Sequence, residues 1–127
     1  MNKKYYIFVD DIRYPKDVTW VDIPLHAYVV VRSFEQFIEY VSNRGYPPSY
    51  VCYDHDLSLS HYGDGQDGNE INYSKYVEKT GYDCAKWMVM YCDAHKSKHP
   101  PYAVHSMNPV GKENIIKFIE SYNKQVA

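Results

Sequence analysis

The chain has 127 residues, of which 45% are hydrophobic and 24% are charged. This size and composition predict a single globular domain over residues 1–127 and exclude a chain that is disordered throughout. Fourteen basic and 16 acidic residues give a formal net charge of −2, so we expect no extended DNA binding driven by an overall positive field. No apolar run approaches the ~20 residues of a membrane span, and the first residues lack a signal-peptide pattern. We therefore expect a cytoplasmic protein that does not enter the membrane.

The cysteine content favours free thiols. Cys52, Cys84 and Cys92 form no CxxC pair. An odd number of cysteines in a chain without a secretory signal is typical of reduced residues. We expect neither a disulfide nor a thiolate zinc site.

Short apolar runs rich in aromatic and β-branched side chains predict four strands. They lie at residues 5–9, 27–32, 49–53 and 102–106. Apolar residues at helical spacing predict three helices, and each follows a capping signal. The first begins at Ser33 with Gln36 as a capping-box partner, the second at Thr80, and the third at Asn108-Pro109.

Strands that alternate with helices are typical of an α/β protein. We predict three layers, in which a mostly parallel four-stranded sheet carries helices on both faces. The glycine-rich stretch at 58–79 has no sustained period and predicts a binding loop, a lid or a disordered insert. In such sheets ligands bind beyond the carboxyl ends of the strands, so residues at those ends are the functional candidates.

Acidic residues follow two of the predicted strands. They are Asp10 and Asp11 after the first strand, and Asp54 and Asp56 after the third. Carboxylates packed closely raise each other's pKa values unless a cation lies among them, and such oxygens favour Mg²⁺, Mn²⁺ or Ca²⁺. We predict a divalent metal site at these four residues. The alternative is that the acids only cap turns and helices.

Two histidines are candidate acid–base groups. His105 ends the fourth strand, just before a helix N-terminus whose free N–H groups favour a phosphate. Histidine titrates near working pH and can donate or accept a proton in catalysis. A structural role for His105 is equally open. Strand alternation places His55 on the face opposite Asp54 and Asp56, where packing against a helix is the alternative to catalysis.

Several segments together resemble a known family. They are residues 9–15 (VDDIRYP), 54–57 (DHDL), 80–83 (TGYD) leading into Trp87, and 105–111 (HSMNPVG) with Asn114-Ile115. This combination is similar to the cyclic-phosphate processing receiver domain, a divergent relative of response-regulator receivers found in bacterial and phage proteins. The resemblance spans nearly the whole chain.

The resemblance implies a receiver-like, Rossmannoid α/β fold that processes a cyclic phosphate. The partner it implies is a small cyclic nucleotide or an RNA 2′,3′-cyclic phosphate end. It implies an acidic pocket at Asp10, Asp11, Asp54 and Asp56, with His55 and His105 as imidazoles. It also implies phosphate contacts from three further residues, which are Ser106, Asn108 and Arg13.

Our leading hypothesis is a metal-assisted phosphoesterase. Mg²⁺ or Mn²⁺ on the carboxylates activates water and His105 protonates the leaving oxygen, with Asp54 and His55 as further catalytic candidates. The alternative is a non-catalytic module that sequesters a cyclic nucleotide. A phosphoacceptor receiver using Asp54 is a third possibility, although the chain ends before the fifth strand and lysine of that family. A Toprim-type metal site is a fourth, on the spacing of Asp54 and Asp56.

Overall fold

The computed structural model describes residues 3–57, 71 and 79–126, so most of the predicted loop at 58–79 lies outside the described residues. All seven predicted elements are present. The strands are β1 (Tyr6–Val9), β2 (Tyr28–Val31), β3 (Tyr50–Tyr53) and β4 (Tyr102–Val104). The helices are α1 (Phe34–Arg44), α2 (Gly81–Ala94) and α3 (Pro109–Gln125), with a 3₁₀ helix at Pro15–Asp17.

The four strands form one parallel sheet in the order β2-β1-β3-β4. The register aligns the strand ends, because Val9 pairs with Tyr53 and Tyr53 pairs with Val104. Ladder hydrogen bonds continue one residue further along β1, β3 and β4. The residues at that next position are Asp10, Asp54 and His105.

The two faces of the sheet are covered differently. On one face, all three α-helices contribute to the main core, through side chains such as Phe37, Met88 and Ile115. On the other face, Phe8 and Cys52 pack against the β1–β2 connection, which carries the 3₁₀ helix. Prolines at 15 and 24 disfavour a longer helix in that connection. The predicted receiver-like α/β fold with a parallel four-stranded sheet is confirmed. The predicted placement of α-helices on both faces differs, because within the described ranges the three α-helices cover one face and this connection covers the other.

The helix starts follow the predicted capping residues. Thr80 forms a complete capping box with Asp83, whose Oδ2 accepts from the Thr80 N–H at 2.9 Å. The Ser33 Oγ accepts from the Gln36 N–H at 3.2 Å. The reciprocal bond differs from the prediction, because the Gln36 Oε1 accepts from Arg32 at 2.7 Å, one residue before Ser33. The entry to α1 is therefore fixed one residue earlier than a standard capping box would fix it.

Candidate active site at the carboxyl edge of the sheet

Asp10, Asp54 and His105 form a buried cluster at the carboxyl edge of the sheet. They are 0%, 2% and 0% exposed, and one ligand atom of each lies within 4.8 Å of the others. They meet because each comes one position beyond the aligned ends of three adjacent parallel strands. The strand-end argument therefore brought these three residues together from the sequence.

Asp10 is held as a carboxylate. Its Oδ1 accepts the backbone N–H groups of Ile12 at 3.0 Å and Arg13 at 2.9 Å, and its Oδ2 lies 2.9 Å from the His105 Nε2. Burial acts to raise the pKa of Asp10, but the hydrogen bonds from His105 and the two backbone groups outweigh it and lower the pKa to about 2. An ionised Asp10 only accepts hydrogen bonds, so the His105 Nε2 carries the proton of their bond.

His105 is a neutral imidazole with one engaged nitrogen. Burial lowers the pKa of His105, although its hydrogen bond to Asp10 opposes the shift. Its ring stacks on Phe8 with 4.5 Å between centroids. Since the proton is on Nε2, Nδ1 carries a lone pair, and this buried atom has no hydrogen-bond partner among the residues described. His105 is therefore arranged as a base oriented by a carboxylate.

Asp54 is the carboxyl group of the cluster whose negative charge is less well stabilised. Burial, and then the charges of Asp10 and Asp56, raise the pKa of Asp54 to about 8, with Arg13 acting in the opposite direction. Its Oδ1 accepts the N–H of His55 at 2.8 Å. Its Oδ2 is buried and has no hydrogen bond to any residue in the described part of the chain. Asp54 thus holds a proton at neutral pH unless a cation offsets its charge.

Arg13 is the counter-ion that reaches both carboxylates. Its Nη1 lies 3.6 Å from the Asp10 Oδ2 and 3.9 Å from the Asp54 Oδ2. Its guanidinium also lies 5.2 Å from the centre of the Trp20 ring. Arg32 supports the same loop, because its Nη1 donates to the carbonyls of Asp10 at 3.0 Å and Arg13 at 2.6 Å. At this edge of the sheet, a positive guanidinium therefore lies within 4 Å of both buried carboxylates.

The other predicted site residues form a second group. The Asp56 Oδ1 lies 2.9 Å from the His55 Nδ1 and accepts from the Asn108 Nδ2 at 3.3 Å. The Asn108 Oδ1 caps α3 by accepting from Gly111 at 3.0 Å, and the Ser106 Oγ accepts from the Asn108 N–H at 3.1 Å. This group fixes the start of α3 beside the cluster. Asp56 therefore lies outside the three-residue cluster.

Two further predicted site residues, His55 and Asp11, also lie outside the cluster of Asp10, Asp54 and His105. His55 lies on the helix side of the sheet, as strand alternation predicted, and is fully buried against Gly111. Asp11 is half-buried and is not part of the cluster of Asp10, Asp54 and His105. Strand alternation explains the placement of His55 but not that of its neighbour Asp56, whose Oδ1 lies 2.9 Å from the His55 Nδ1.

Two glycines that sequence analysis did not single out make this arrangement possible. The N–H of Gly81 donates to the His55 carbonyl at 2.8 Å, and a Cβ on Gly81 would lie 1.6 Å from the Asp54 carbonyl oxygen. A Cβ on Gly111 would lie 2.4 Å from the His55 Cγ. The available signal was glycine within the first turn of a predicted helix, where it is disfavoured unless close packing requires it.

The fold and site define a class of protein, a receiver-like α/β domain with a buried aspartate–histidine cluster at the carboxyl edge of its sheet. The family model of the cyclic-phosphate processing receiver domain matches residues 5–121. The chain belongs to this family, whose name implies the processing of a small cyclic phosphate. Searches of the curated proteins and of the solved structures give no match. In the described ranges, no helix has the length and apolar character needed to span a membrane.

The raised pKa of Asp54 predicts how stability depends on pH. An unfolded chain releases this proton near pH 4, whereas the folded protein keeps it to about pH 8. The folded state binds more protons between these values, so Asp54 lowers stability progressively as pH rises from 4 to 8. The substitution Asp54→Asn removes this loss. We expect it to raise the free energy of unfolding by about 2 kcal/mol at pH 8.5, or the melting temperature by about 7 °C, with little change at pH 5.

The measurement is a thermal melt of both proteins from pH 5 to pH 8.5 in the presence of chelator. The substitution Asp93→Asn, at an exposed position of α2, is the matched control. It is expected to leave the pH dependence of the melting temperature unchanged. A difference between Asp54→Asn and the parent chain that stays constant with pH would contradict the assignment of a buried, protonated Asp54.

Proposed function

We propose that this chain is a metal-assisted phosphoesterase that opens a cyclic phosphate on a nucleotide or RNA end. The observation that supports the proposal is the pair of buried polar atoms, the Asp54 Oδ2 and the His105 Nδ1, that lack hydrogen-bond partners within the described residues. Leaving such atoms unsatisfied costs about 1–3 kcal/mol each. They lie where parallel sheets bind ligands, and a cation and a substrate would satisfy them.

The chemistry of the donor set fits a divalent cation. Two carboxylates and one imidazole suit Mn²⁺, and the carboxylates alone suit Mg²⁺. Asp10 and Asp54 would hold the ion, with His105 beside it. A cation bound there would draw charge from the phosphate and make an associated water more acidic. Its charge would also favour the ionised form of Asp54, which explains why this buried acid lacks a full set of hydrogen bonds.

His105 supplies the proton transfers in this proposal. Asp10 fixes the tautomer by accepting the Nε2 proton, so Nδ1 takes a proton from water as the water oxygen bonds to phosphorus. One P–O bond of the ring then breaks. The proton passes from Nδ1 to the leaving oxygen, which gives a phosphomonoester and a free hydroxyl. The lowered pKa of His105 makes it a base first and an acid second.

Arg13 is the proposed phosphate contact. Its separations of 3.6 and 3.9 Å from the two carboxylates are too long for hydrogen bonds. A guanidinium held this loosely can turn toward phosphate oxygens, which it binds with two parallel N–H groups. Ser106, Asn108, Asp56 and His55 are proposed to hold the start of α3 in place beside the phosphate.

The test is phosphorus NMR of the protein with a panel of 2′,3′- and 3′,5′-cyclic nucleotides. We expect the cyclic resonance to disappear and a monoester resonance to grow with Mg²⁺ or trace Mn²⁺, and both changes to stop with chelator. The monoester position, 2′, 3′ or 5′, shows which bond breaks. Turnover that continues unchanged in chelator would contradict metal assistance, and absence of product with every nucleotide would contradict the phosphoesterase.

A binding module that sequesters a cyclic nucleotide is the second candidate. The observation that favours it is Arg13, whose guanidinium lies near both Asp10 and Asp54 and offsets part of their charge without a metal ion. In the same NMR experiment this function gives a shifted or broadened phosphate resonance with no product after long incubation. The panel therefore separates the two candidates.

A further inference from the structure

Trp20 contacts the candidate site from the β1–β2 connection. Its Nε1–H donates to the His105 carbonyl at 2.8 Å, and its ring lies 5.2 Å from the Arg13 guanidinium. The side chain nevertheless remains 38% exposed. Trp20 thus touches the imidazole residue and the phosphate-contact residue at once, and keeps part of its ring open to solvent.

Other exposed apolar side chains surround the same edge. Six large hydrophobic residues are exposed within the described ranges, and four of them lie either at 10–20, in the first part of the connection after β1, or between β4 and α3. These four are Ile12, Tyr14, Trp20 and Met107. Tyr14 forms a second arginine–aromatic pair, with Arg32 at 4.5 Å from its ring. An apolar, aromatic rim around a charged, buried cluster fits a ligand that combines a planar apolar group with an anion.

We propose that Trp20 is the residue that recognises the base of the substrate, by stacking on it while Arg13 binds the phosphate. The inference rests on the proposed function, which places the cyclic phosphate at Arg13. A single sugar ring separates the base of a nucleotide from its phosphate. The Arg13 guanidinium lies 5.2 Å from the centre of the Trp20 ring, so one nucleotide can contact both side chains. Base–aromatic stacking is the common way in which proteins hold unpaired bases.

The hydrogen bond of Trp20 fixes the kind of selectivity to expect. Its indole N–H is already used by the His105 carbonyl, so the ring offers a stacking face and no donor to a base. Stacking tolerates every base because each has a π face. We therefore expect weak discrimination among the four bases and strong discrimination against a cyclic phosphate that has no base.

The experiment compares a 2′,3′-cyclic nucleotide with a base-free five-membered cyclic phosphate, the 1,2-cyclic phosphate of glycerol. Turnover gives kcat and KM, and isothermal titration gives Kd. For the unchanged protein, we expect a KM or Kd at least about 10-fold lower with the nucleotide. The substitution Trp20→Ala is expected to raise KM and Kd for the nucleotide by about 10- to 100-fold. Its kcat/KM for the base-free compound is expected to fall by a much smaller factor, which comes from loss of the hydrogen bond to the His105 carbonyl and not from stacking.

Trp20→Phe and Met90→Ala complete the design. Trp20→Phe keeps a stacking ring without the N–H, so its KM and Kd for the nucleotide are expected to lie between those of Trp20→Ala and the parent protein. This variant also tests the proposal if Trp20→Ala does not fold. Met90→Ala removes an exposed apolar side chain from α2 and is expected to change neither substrate. A merely structural role for Trp20 would lower turnover of both compounds equally, and that result would overturn the inference.

The inference and the proposed function can fail separately. Turnover of both compounds with equal efficiency by the unchanged protein would overturn base recognition and leave the phosphoesterase standing. Binding that prefers the nucleotide and depends on Trp20, but gives no product, would overturn the phosphoesterase and support base recognition. Absence of both binding and turnover with the nucleotide would overturn both.

Discussion

The substitution His105→Ala is expected to lower kcat for cyclic-nucleotide hydrolysis by about 10²- to 10⁴-fold and to change KM little. The physical reason is the Nδ1 lone pair, which the Asp10 carboxylate orients from 2.9 Å through Nε2. Asp10→Asn is expected to lower kcat as well, because its amide can donate to Nε2 and so move the ring proton to Nδ1. The measurement is steady-state turnover with saturating Mg²⁺.

Three controls separate this catalytic effect from a loss of folding. His95→Ala removes an exposed histidine just after α2 and is expected to retain full turnover. Added imidazole is expected to restore part of the activity of His105→Ala, since alanine leaves space for a free base. The kcat/KM profile of the parent protein is expected to fall only at a pH below the usual pKa of histidine, because burial lowers the pKa of His105 and protonation removes the base. A His105→Ala protein that folds and keeps more than a third of the parent kcat would contradict the proposal.

Much of the fold could be predicted because its signals are local. Apolar runs marked each strand, and Ser33, Thr80 and Asn108 marked the helix starts by their capping side chains. The way in which the second face of the sheet is covered is not encoded by a local signal. It depends on whether residues 10–27 bury Phe8 and Cys52 as a helix or as an irregular connection, and that choice is made by packing.

The site was predictable as far as strand register reaches. Asp10, Asp54 and His105 follow aligned strand ends, so the rule for parallel sheets places them together. The rule carries no information once the strand has ended. Asp56 lies three residues beyond the end of β3, where contacts with His55 and Asn108 decide its direction. Trp20 could not be predicted because it reaches the site from an irregular connection.

Gly81 shows how the segment after β3 and the start of α2 pack together. The N–H of Gly81 binds the His55 carbonyl, and its α-carbon is so close to Asp54 that an added Cβ would lie 1.6 Å from a backbone oxygen. That oxygen cannot turn away as a side chain would, because it belongs to the segment that positions Asp54. The close approach therefore fixes the distance between the start of α2 and the backbone that carries Asp54.

The substitution Gly81→Ala is accordingly expected to lower the free energy of unfolding by at least about 3 kcal/mol, or the melting temperature by about 10 °C. This loss exceeds the helix propensity of about 1 kcal/mol that alanine gains over glycine. Gly45→Ala is the matched control, since Gly45 has φ 81° and a Cβ added there would meet no atom within 4 Å outside its chain neighbours. It tests left-handed strain alone and is expected to cost about 1 kcal/mol. Thermal melts of both variants decide the matter, and a Gly81→Ala protein no less stable than Gly45→Ala would show that α2 can move away from Asp54 freely.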